Sequence, residues 1–215
     1  MRAGAVMIDF NGTLSDDELV LAEIFSQLFC EYGKPLTADE YFGRLAGLSD
    51  PEIVRTWLGR DHPDVEKVVG ERIARYRAAV AGGSTVPPEA REAVRYAAAR
   101  IPVALVTGAA RIEVEPVLEA AGIADAFSVL VSADDVGRGK PHPEGYERAL
   151  ALLDGDLAPD RVVVFEDTEA GVAAAKAAGM RCVALLGTLA PERLAAADEL
   201  AERLDVELVK RFVGE

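Results

Sequence analysis

The feature that most constrains the fold is a regular alternation of helical and apolar segments in the second half of the chain. Segments with the helical spacing of apolar residues alternate there with short, continuous apolar runs. Such runs, separated by helices, are typical of a parallel sheet covered on both faces, so we predict an α/β fold. The predicted helices are 89–100, 110–121, 143–153 and 169–178, the predicted strands are 102–107, 128–131, 161–166 and 181–186, and the tail 190–213 is predicted to be helical with room for one short strand.

A further apolar run, 5–8, predicts one more strand, and an amphipathic helix is predicted after it at 19–32. Asp9 stands at the end of this strand, where ligands bind in open α/β sheets. Asp9 is therefore a candidate functional residue. The alternative is a strand that ends in an ordinary turn, because Asn11-Gly12 is a common turn dipeptide.

The segment between the first loop and the alternating half is helical almost throughout, and four helices are predicted in it. A capping-box pattern begins at Thr37, and Asp50-Pro51 opens the third helix. Turn-rich linkers at 15–17 and 82–88 flank the segment, as a moving lid requires. The predicted division is 1–14 and 84–215 for the core and 15–83 for the inserted helical domain.

Composition narrows the classes of partner. The formal net charge is −14 and the sequence pI is about 4.6, so the surface repels nucleic acid and anionic membranes. No apolar run reaches the roughly 18 residues of a membrane span, no signal peptide is visible before Asp9, and a cytoplasmic location is expected. Cys30 and Cys182 are expected to be buried thiols. A monomer is expected, with a dimer left open.

Polar residues also end the later strands. Thr107 and Gly108 follow one apolar run, and a strand-end hydroxyl with free backbone N–H groups can cradle an oxyanion. Taken alone, Thr107 would be interpreted as an ordinary helix N-cap. Lys140, in the stiff turn Gly-Lys-Pro-His-Pro, is a candidate point charge for phosphate rather than an isolated surface lysine.

Glu166 and Asp167 end another apolar run. Two adjacent acids repel each other unless a cation lies between them. Hard oxygen ligands suit Mg²⁺, which keeps several of its waters. We therefore expect a magnesium site here.

These motifs, in this order, resemble those of the haloacid dehalogenase superfamily. Within it the chain is similar to the phosphatase-type members, the phosphoglycolate phosphatase-like and beta-phosphoglucomutase-like group, which carry a helical (C1-type) cap after the first motif. The resemblance covers nearly the whole chain. It implies a Rossmann-like core, a four-helix cap and Mg²⁺-dependent hydrolysis of a small phosphate monoester.

The resemblance also implies roles for the motif residues. Asp9 would be the nucleophile that forms an aspartyl-phosphate, with Gly12 letting the backbone turn close to the phosphate. Thr107, Gly108 and Lys140 would bind the transferring phosphoryl group. The metal ligands would be Asp9, the backbone carbonyl of Asn11, Asp167 directly and Glu166 through water.

Asn11 departs from the family pattern, in which an Asp two residues after the nucleophile acts as general acid and base. An amide keeps the carbonyl ligand but does not titrate near neutral pH. Because general acid–base catalysis is worth about 10²–10⁴-fold, proton transfer is expected to be crippled or supplied otherwise. The rival hypothesis is therefore a phospho-ligand binding or regulatory protein that has lost turnover.

The helical domain is expected to select the substrate, a small phosphorylated metabolite. Arg44 and Ser49 lie in a stretch that resembles the family's specificity loop and are candidate substrate contacts. The family's sugar-phosphate mutases have His at the position of Leu21 and Arg at that of Asp50. A phosphomutase is therefore the weaker alternative.

Overall fold

The computed structural model describes residues 2–81, 85–153 and 156–214. Helical and extended segments follow each other much as the sequence pattern indicates. The strands are β1 (Ala5–Ile8), β2 (Val103–Val106), β3 (Val129–Val131), β4 (Val162–Glu166), β5 (Arg181–Leu185) and β6 (Glu199–Ala201). The helices are α1 (Glu18–Glu31), α2 (Ala38–Arg44), α3 (Asp50–Leu58), α4 (Val65–Val80), α5 (Pro88–Ala98), α6 (Arg111–Ala121), α7 (Glu144–Leu153), α8 (Glu169–Ala177) and α9 (Val206–Val213).

The strands form one six-stranded parallel sheet in the order β3-β2-β1-β4-β5-β6. Met7 in the central strand β1 lies opposite Ala104 of β2 and Val164 of β4. The chain moves outward in one direction from β1 and then, from β4, in the other, so the topological switch point lies between β1 and β4. The predicted α/β class with a Rossmann-like parallel sheet is confirmed.

The helices α1 to α4 form a block between β1 and α5, and we call them the helical block. Their starts follow the sequence signals. Thr37 and Glu40 form a capping box before α2, and Ser49 and Glu52 form another before α3, which has Pro51 in its first turn. Within the block, α1 packs against α4 and α2, and α4 also contacts α6 of the sheet region.

The two ends of the helical block meet at its base. The Asp16 amide donates a hydrogen bond to the carbonyl of Thr85 over 2.9 Å, and the hydroxyl groups of Ser15 and Thr85 are also in contact. Of the predicted exit linker 82–88, residues 82–84 lie outside the described residues. The described ends of both linkers therefore run side by side.

The structure also tests the expectations about the two cysteines, the C-terminal tail and membrane-spanning helices. Cys182 is buried in β5 as expected, but the prediction for Cys30 is wrong, because its turn of α1 faces solvent. The tail is helical only from Val206, and residues 199–201 form β6 at the sheet edge. Among the described residues, no helix is long and apolar enough to cross a membrane.

Candidate active site

Asp9 lies directly beyond β1, at the switch point of the sheet. Its amide donates to the carbonyl of Phe165 over 3.0 Å, so the parallel pairing continues past the end of the strand and fixes the backbone. The Lys140 ammonium contacts the carboxylates of both Asp9 and Glu166 and donates to the Val106 carbonyl at 3.1 Å. One lysine thus joins the ends of β1, β2 and β4.

Glu166 is fully buried, and protein groups bind both of its oxygens. The Tyr146 hydroxyl donates to Oε1 over 2.7 Å, and the Asp167 amide donates to Oε2 over 3.1 Å. Gly171 makes room for this carboxylate, since a Cβ atom there would lie 1.9 Å from Glu166 Oε1. Sequence reasoning missed Tyr146 and Gly171, because neither belongs to a recognisable motif.

Asp167 is also fully buried. Its Oδ1 accepts a hydrogen bond from the Thr13 hydroxyl over 3.1 Å. Its Oδ2 has no well-aligned donor among the described residues, although the Thr188 hydroxyl is near enough to lower the pKa of this carboxyl group. Burial raises the pKa of Asp167 well above its usual range, and the charges of Asp9 and Glu166 act in the same direction. Gly12, at φ +71°, approaches it so closely that a Cβ there would lie 2.0 Å from Oδ2.

A cation fits this arrangement. One carboxylate oxygen from each of Asp9, Glu166 and Asp167 lies within 4.8 Å of the others. Burial raises the pKa of Asp9 to about 7, against the opposing pull of Lys140. Lys140 pairs with Asp9 and Glu166 but not with Asp167, and a buried carboxylate oxygen without a donor is a natural ligand for a hard cation such as Mg²⁺.

Thr107 and Gly108 follow β2. The Thr107 amide donates to the Val131 carbonyl over 2.9 Å, and its buried hydroxyl accepts a hydrogen bond from the Ala109 amide over 3.0 Å. The N-cap of α6 is Ala110, so the interpretation of Thr107 as the helix cap is wrong. Its hydroxyl instead stabilises the loop between β2 and α6.

Asn11 does not stand free in its loop. Its amide nitrogen donates to Asp17 Oδ2 over 3.0 Å, and the same carboxylate accepts hydrogen bonds from the hydroxyls of Ser15 (2.7 Å) and Tyr76 (2.5 Å). Asp17 is fully buried, and burial raises its pKa. Sequence reasoning treated Asp17 as part of a linker and missed this contact.

A cavity of about 410 Å³ lies between the strand ends and the helical block. The strand ends contribute the predicted residues Asp9, Asn11, Thr107, Gly108 and Lys140 to its wall. The helical block contributes acidic, aromatic and aliphatic side chains. These include Glu18, Leu21, Phe25, Tyr41, Ser49, Asp50, Ile53, Val69, Arg72 and Ile73.

A second group of charges lines the same cavity. The Arg72 guanidinium of α4 contacts both Asp50 of α3 and Glu113 of α6. Arg72 is 4% exposed and Glu113 1%. These three residues join the helical block to the sheet region, and no sequence motif predicted their contact.

The remaining predicted substrate contacts fall in different places. Arg44 is not brought to the cavity: it is exposed, and its guanidinium lies 5.2 Å from the centre of the Trp57 ring. Ser49 lines the cavity, although its hydroxyl donates to Glu52 over 2.6 Å. Gly12 lies behind the site, against Asp167, rather than in the cavity wall.

Comparisons with known proteins identify the family and the fold. The sequence model of a family described as haloacid dehalogenase-like hydrolase matches residues 3–179. A validoxylamine A 7'-phosphate phosphatase of Streptomyces hygroscopicus subsp. limoneus is 34% identical, over 92% of each chain. A phosphorylated carbohydrates phosphatase of Thermotoga maritima is 31% identical over 82% of each. The crystal structure of CbbY from Rhodobacter sphaeroides in complex with phosphate superposes with a TM-score of 0.81 at 28% identity, covering 96% of each chain.

Proposed function

The chain belongs to the haloacid dehalogenase-like hydrolase family, and from this premise we propose that it is a Mg²⁺-dependent hydrolase of small phosphate monoesters that works through an aspartyl-phosphate. One observation carries the proposal. The Asp9 carboxylate lies at the switch point of the sheet, beside Lys140 and two further buried acids, and it lines a cavity large enough for a small metabolite.

Asp9 supplies the nucleophile. One carboxylate oxygen attacks phosphorus, the Asp9–phosphorus bond forms, and the bond to the leaving alcohol breaks. Water then attacks the aspartyl-phosphate, which releases inorganic phosphate and frees Asp9. The Lys140 ammonium holds the nucleophile in place and stands ready to pair with phosphoryl oxygens. Thr107 and Gly108 line the same part of the cavity and would contact those oxygens.

Asp9, the backbone carbonyl of Asn11, Asp167 and, through water, Glu166 would hold the metal ion. When bound, Mg²⁺ neutralises charge on the phosphoryl group and on the surrounding acids. With its three acids ionised, the cluster carries more negative charge than Lys140 neutralises, and this charge would repel an anionic substrate. The requirement for a divalent cation follows from that imbalance.

The helical block serves as the cap. In this proposal residues 15–83 form the inserted domain, and 1–14 with 84–215 form the core. The adjacent segments at Ser15 and Thr85 would be the hinge, and the contact of Arg72 with Glu113 would be made when the cap is closed. Closure excludes water from the nucleophile until the phosphoenzyme has formed.

The substrate is a small phosphorylated metabolite. The cavity of about 410 Å³ admits a sugar-sized molecule, and two relatives are phosphatases of phosphorylated carbohydrates and of validoxylamine A 7'-phosphate. A phosphomutase is disfavoured, because Asp50 pairs with Arg72 and Leu21 is buried in the cavity wall. A monomer in the cytoplasm remains part of the proposal.

Asn11 favours a second candidate function, a phospho-ligand binding protein without turnover. Its side chain donates to Asp17 and offers no acid. The two candidates differ in what happens to a bound ester: the binding protein would retain it intact, whereas the hydrolase releases inorganic phosphate.

Release of phosphate from an acyl phosphate and an aryl phosphate, with and without Mg²⁺, tests the proposal. We expect Mg²⁺-dependent turnover by the parent protein, none by Asp9→Asn, and unchanged turnover by Asp125→Asn, which alters an exposed aspartate away from the cavity. Tight binding of the ester by a parent protein that releases no phosphate would favour the binding protein instead.

A further inference from the structure

The proposed function, on which this inference rests, does not yet assign a general acid and base. An alcohol leaves phosphorus readily only when its oxygen receives a proton, and water attacks the phosphoenzyme readily only when a base removes one. The Asn11 amide can do neither. Another titratable side chain that lines the cavity could supply the proton instead.

The other acids in the cavity wall are engaged elsewhere. Asp9 is the nucleophile, and Asp50 and Glu113 are both paired with Arg72. Asp134 accepts the backbone N–H of Arg111 over 2.8 Å at the start of α6. Asp17 contacts Asn11, but three donors bind its Oδ2, and the residue is fully buried and not part of the wall.

Glu18 remains. It is the first residue of α1 and lines the cavity together with Asp9 and Asn11. Its carboxyl group accepts a hydrogen bond from the buried Tyr41 hydroxyl over 3.2 Å. Within the described part of the chain it makes no ion pair, so its carboxyl group is not committed to a cation.

The surroundings of Glu18 favour its protonated form. Burial raises its pKa to about 8, and the charges of Asp17 and Asp9 act in the same direction. The Tyr41 hydrogen bond and the more distant charge of Arg72 oppose this rise. Near neutral pH the group therefore carries a proton that it can give up.

We propose that Glu18 is the general acid and base of the reaction, taking the place of the carboxyl group absent at Asn11. As Asp9 bonds to phosphorus, the leaving oxygen takes the Glu18 proton and departs as the alcohol. The Glu18 carboxylate then removes a proton from water, whose oxygen bonds to phosphorus while the Asp9–phosphorus bond breaks. Inorganic phosphate leaves, and both carboxyl groups return to their starting states.

Dependence on the leaving group tests this role. An alkyl alcohol needs the proton, whereas 4-nitrophenolate and an acyl leaving group leave without it. We expect Glu18→Gln to lower kcat/KM for alkyl phosphates by about 10²-fold or more, and to lower that for 4-nitrophenyl and acyl phosphates by less than about tenfold. Glu23→Gln, an exposed change on the same helix, should alter neither.

Restoring the missing acid provides a second measurement. Asn11→Asp should return alkyl phosphatase activity to Glu18→Gln, and in the Asn11→Asp background the loss of Glu18 should matter little. Glu18→Asp, which keeps a shorter acid, should retain more alkyl phosphatase activity than Glu18→Gln. Circular dichroism of each variant checks that the fold is intact, and Glu18→Asp carries the test if Glu18→Gln does not fold.

Several results would overturn the assignment. Equal losses on alkyl and nitrophenyl phosphates, or no loss at all, would show that Glu18 transfers no proton, while Mg²⁺-dependent turnover that requires Asp9 would leave the proposed function standing. A parent protein that hydrolyses none of the three substrates would contradict both proposals.

Discussion

Two groups of buried charges line or adjoin one cavity, and they differ in what holds them together. The strand-end cluster contains Asp9, Lys140, Glu166 and Asp167. The interhelical cluster contains Asp50, Arg72 and Glu113. Both contain more acids than bases, but only the strand-end cluster leaves a buried carboxylate oxygen, Asp167 Oδ2, without a donor among the described residues.

This difference indicates that the strand-end cluster binds a cation, whereas the interhelical cluster holds helices together. In the strand-end cluster, backbone amides and close glycines hold the acids in place while their charges stay under-neutralised, which suits a site that awaits a cation. In the interhelical cluster, Arg72 contacts one acid on each side and spans three helices. We expect loss of charge to affect function in the first cluster and stability in the second.

The largest effect is expected from Asp167→Asn. Metal-ion stabilisation of charge is worth several kcal/mol, so kcat/KM should fall by about 10³-fold or more and the Mg²⁺ dependence should weaken. The metal-free variant should unfold no more easily than the parent, because one buried charge that repels its neighbours is gone. Phosphate-release assays and urea unfolding measure the two effects, with the exposed Asp160→Asn as control. A variant that keeps full activity would remove Asp167 from the metal site.

Glu113→Gln should have the opposite effect, lowering stability more than activity. Because Asp50 stays paired with Arg72, the loss of stability is expected to be smaller than the roughly 3–5 kcal/mol that follows when a buried charge is left wholly unpaired. Replacing all three of Asp50, Arg72 and Glu113 by apolar residues of similar volume should recover most of that loss. Urea unfolding of the single and triple variants checks this. A triple variant as unstable as Glu113→Gln would mean that packing, rather than unpaired charge, governs the cluster.

Two glycines sharpen the comparison at a smaller scale. A Cβ at Gly171 would lie 1.9 Å from the Glu166 carboxylate, whereas one at Gly70, on an exposed face of α4, would meet nothing within 4 Å. We expect Gly171→Ala to destabilise the protein by about 1–3 kcal/mol and to lower activity. Gly70→Ala should stabilise it by up to about 1 kcal/mol through helix propensity. Thermal unfolding distinguishes the two, and equal effects would argue against the close contact at Gly171.

The same contrast explains what the sequence could predict. Asp9 and Glu166 stand at the ends of apolar strands, and parallel strands bring their carboxyl ends to one edge, so local pattern placed them. Lys140 was placed by its turn motif, Gly-Lys-Pro-His-Pro. The match of residues 3–179 confirms the family that these motifs indicated. Arg72 meets Glu113 across 41 positions of sequence, and no local pattern encodes that meeting. Arg44 shows the converse, since its loop resembles a specificity loop but its side chain lies over Trp57.

The last comparison concerns Glu18, which lines the same cavity and responds to charges of both clusters, Asp9 in one and Arg72 in the other. Its pKa is raised from 4.5 to about 8 in the folded protein, so the folded state binds more protons than the unfolded state between these values. The contribution of Glu18 to stability is therefore fully present below pH 4.5 and is lost as the pH rises through about 8. In metal-free protein, the free energy of unfolding of the parent should fall relative to that of Glu18→Gln across this window, by at most about 1.4 kcal/mol per pH unit.

Asp17, Asp9, Tyr41 and Arg72 face Glu18 in both proteins. The difference between the two free energies of unfolding therefore isolates the carboxyl group of Glu18. A difference that stays constant from pH 5 to pH 9 (roughly the window that the shifted pKa defines) would show that Glu18 is ionised throughout, and it would then lack the proton that an acid must donate.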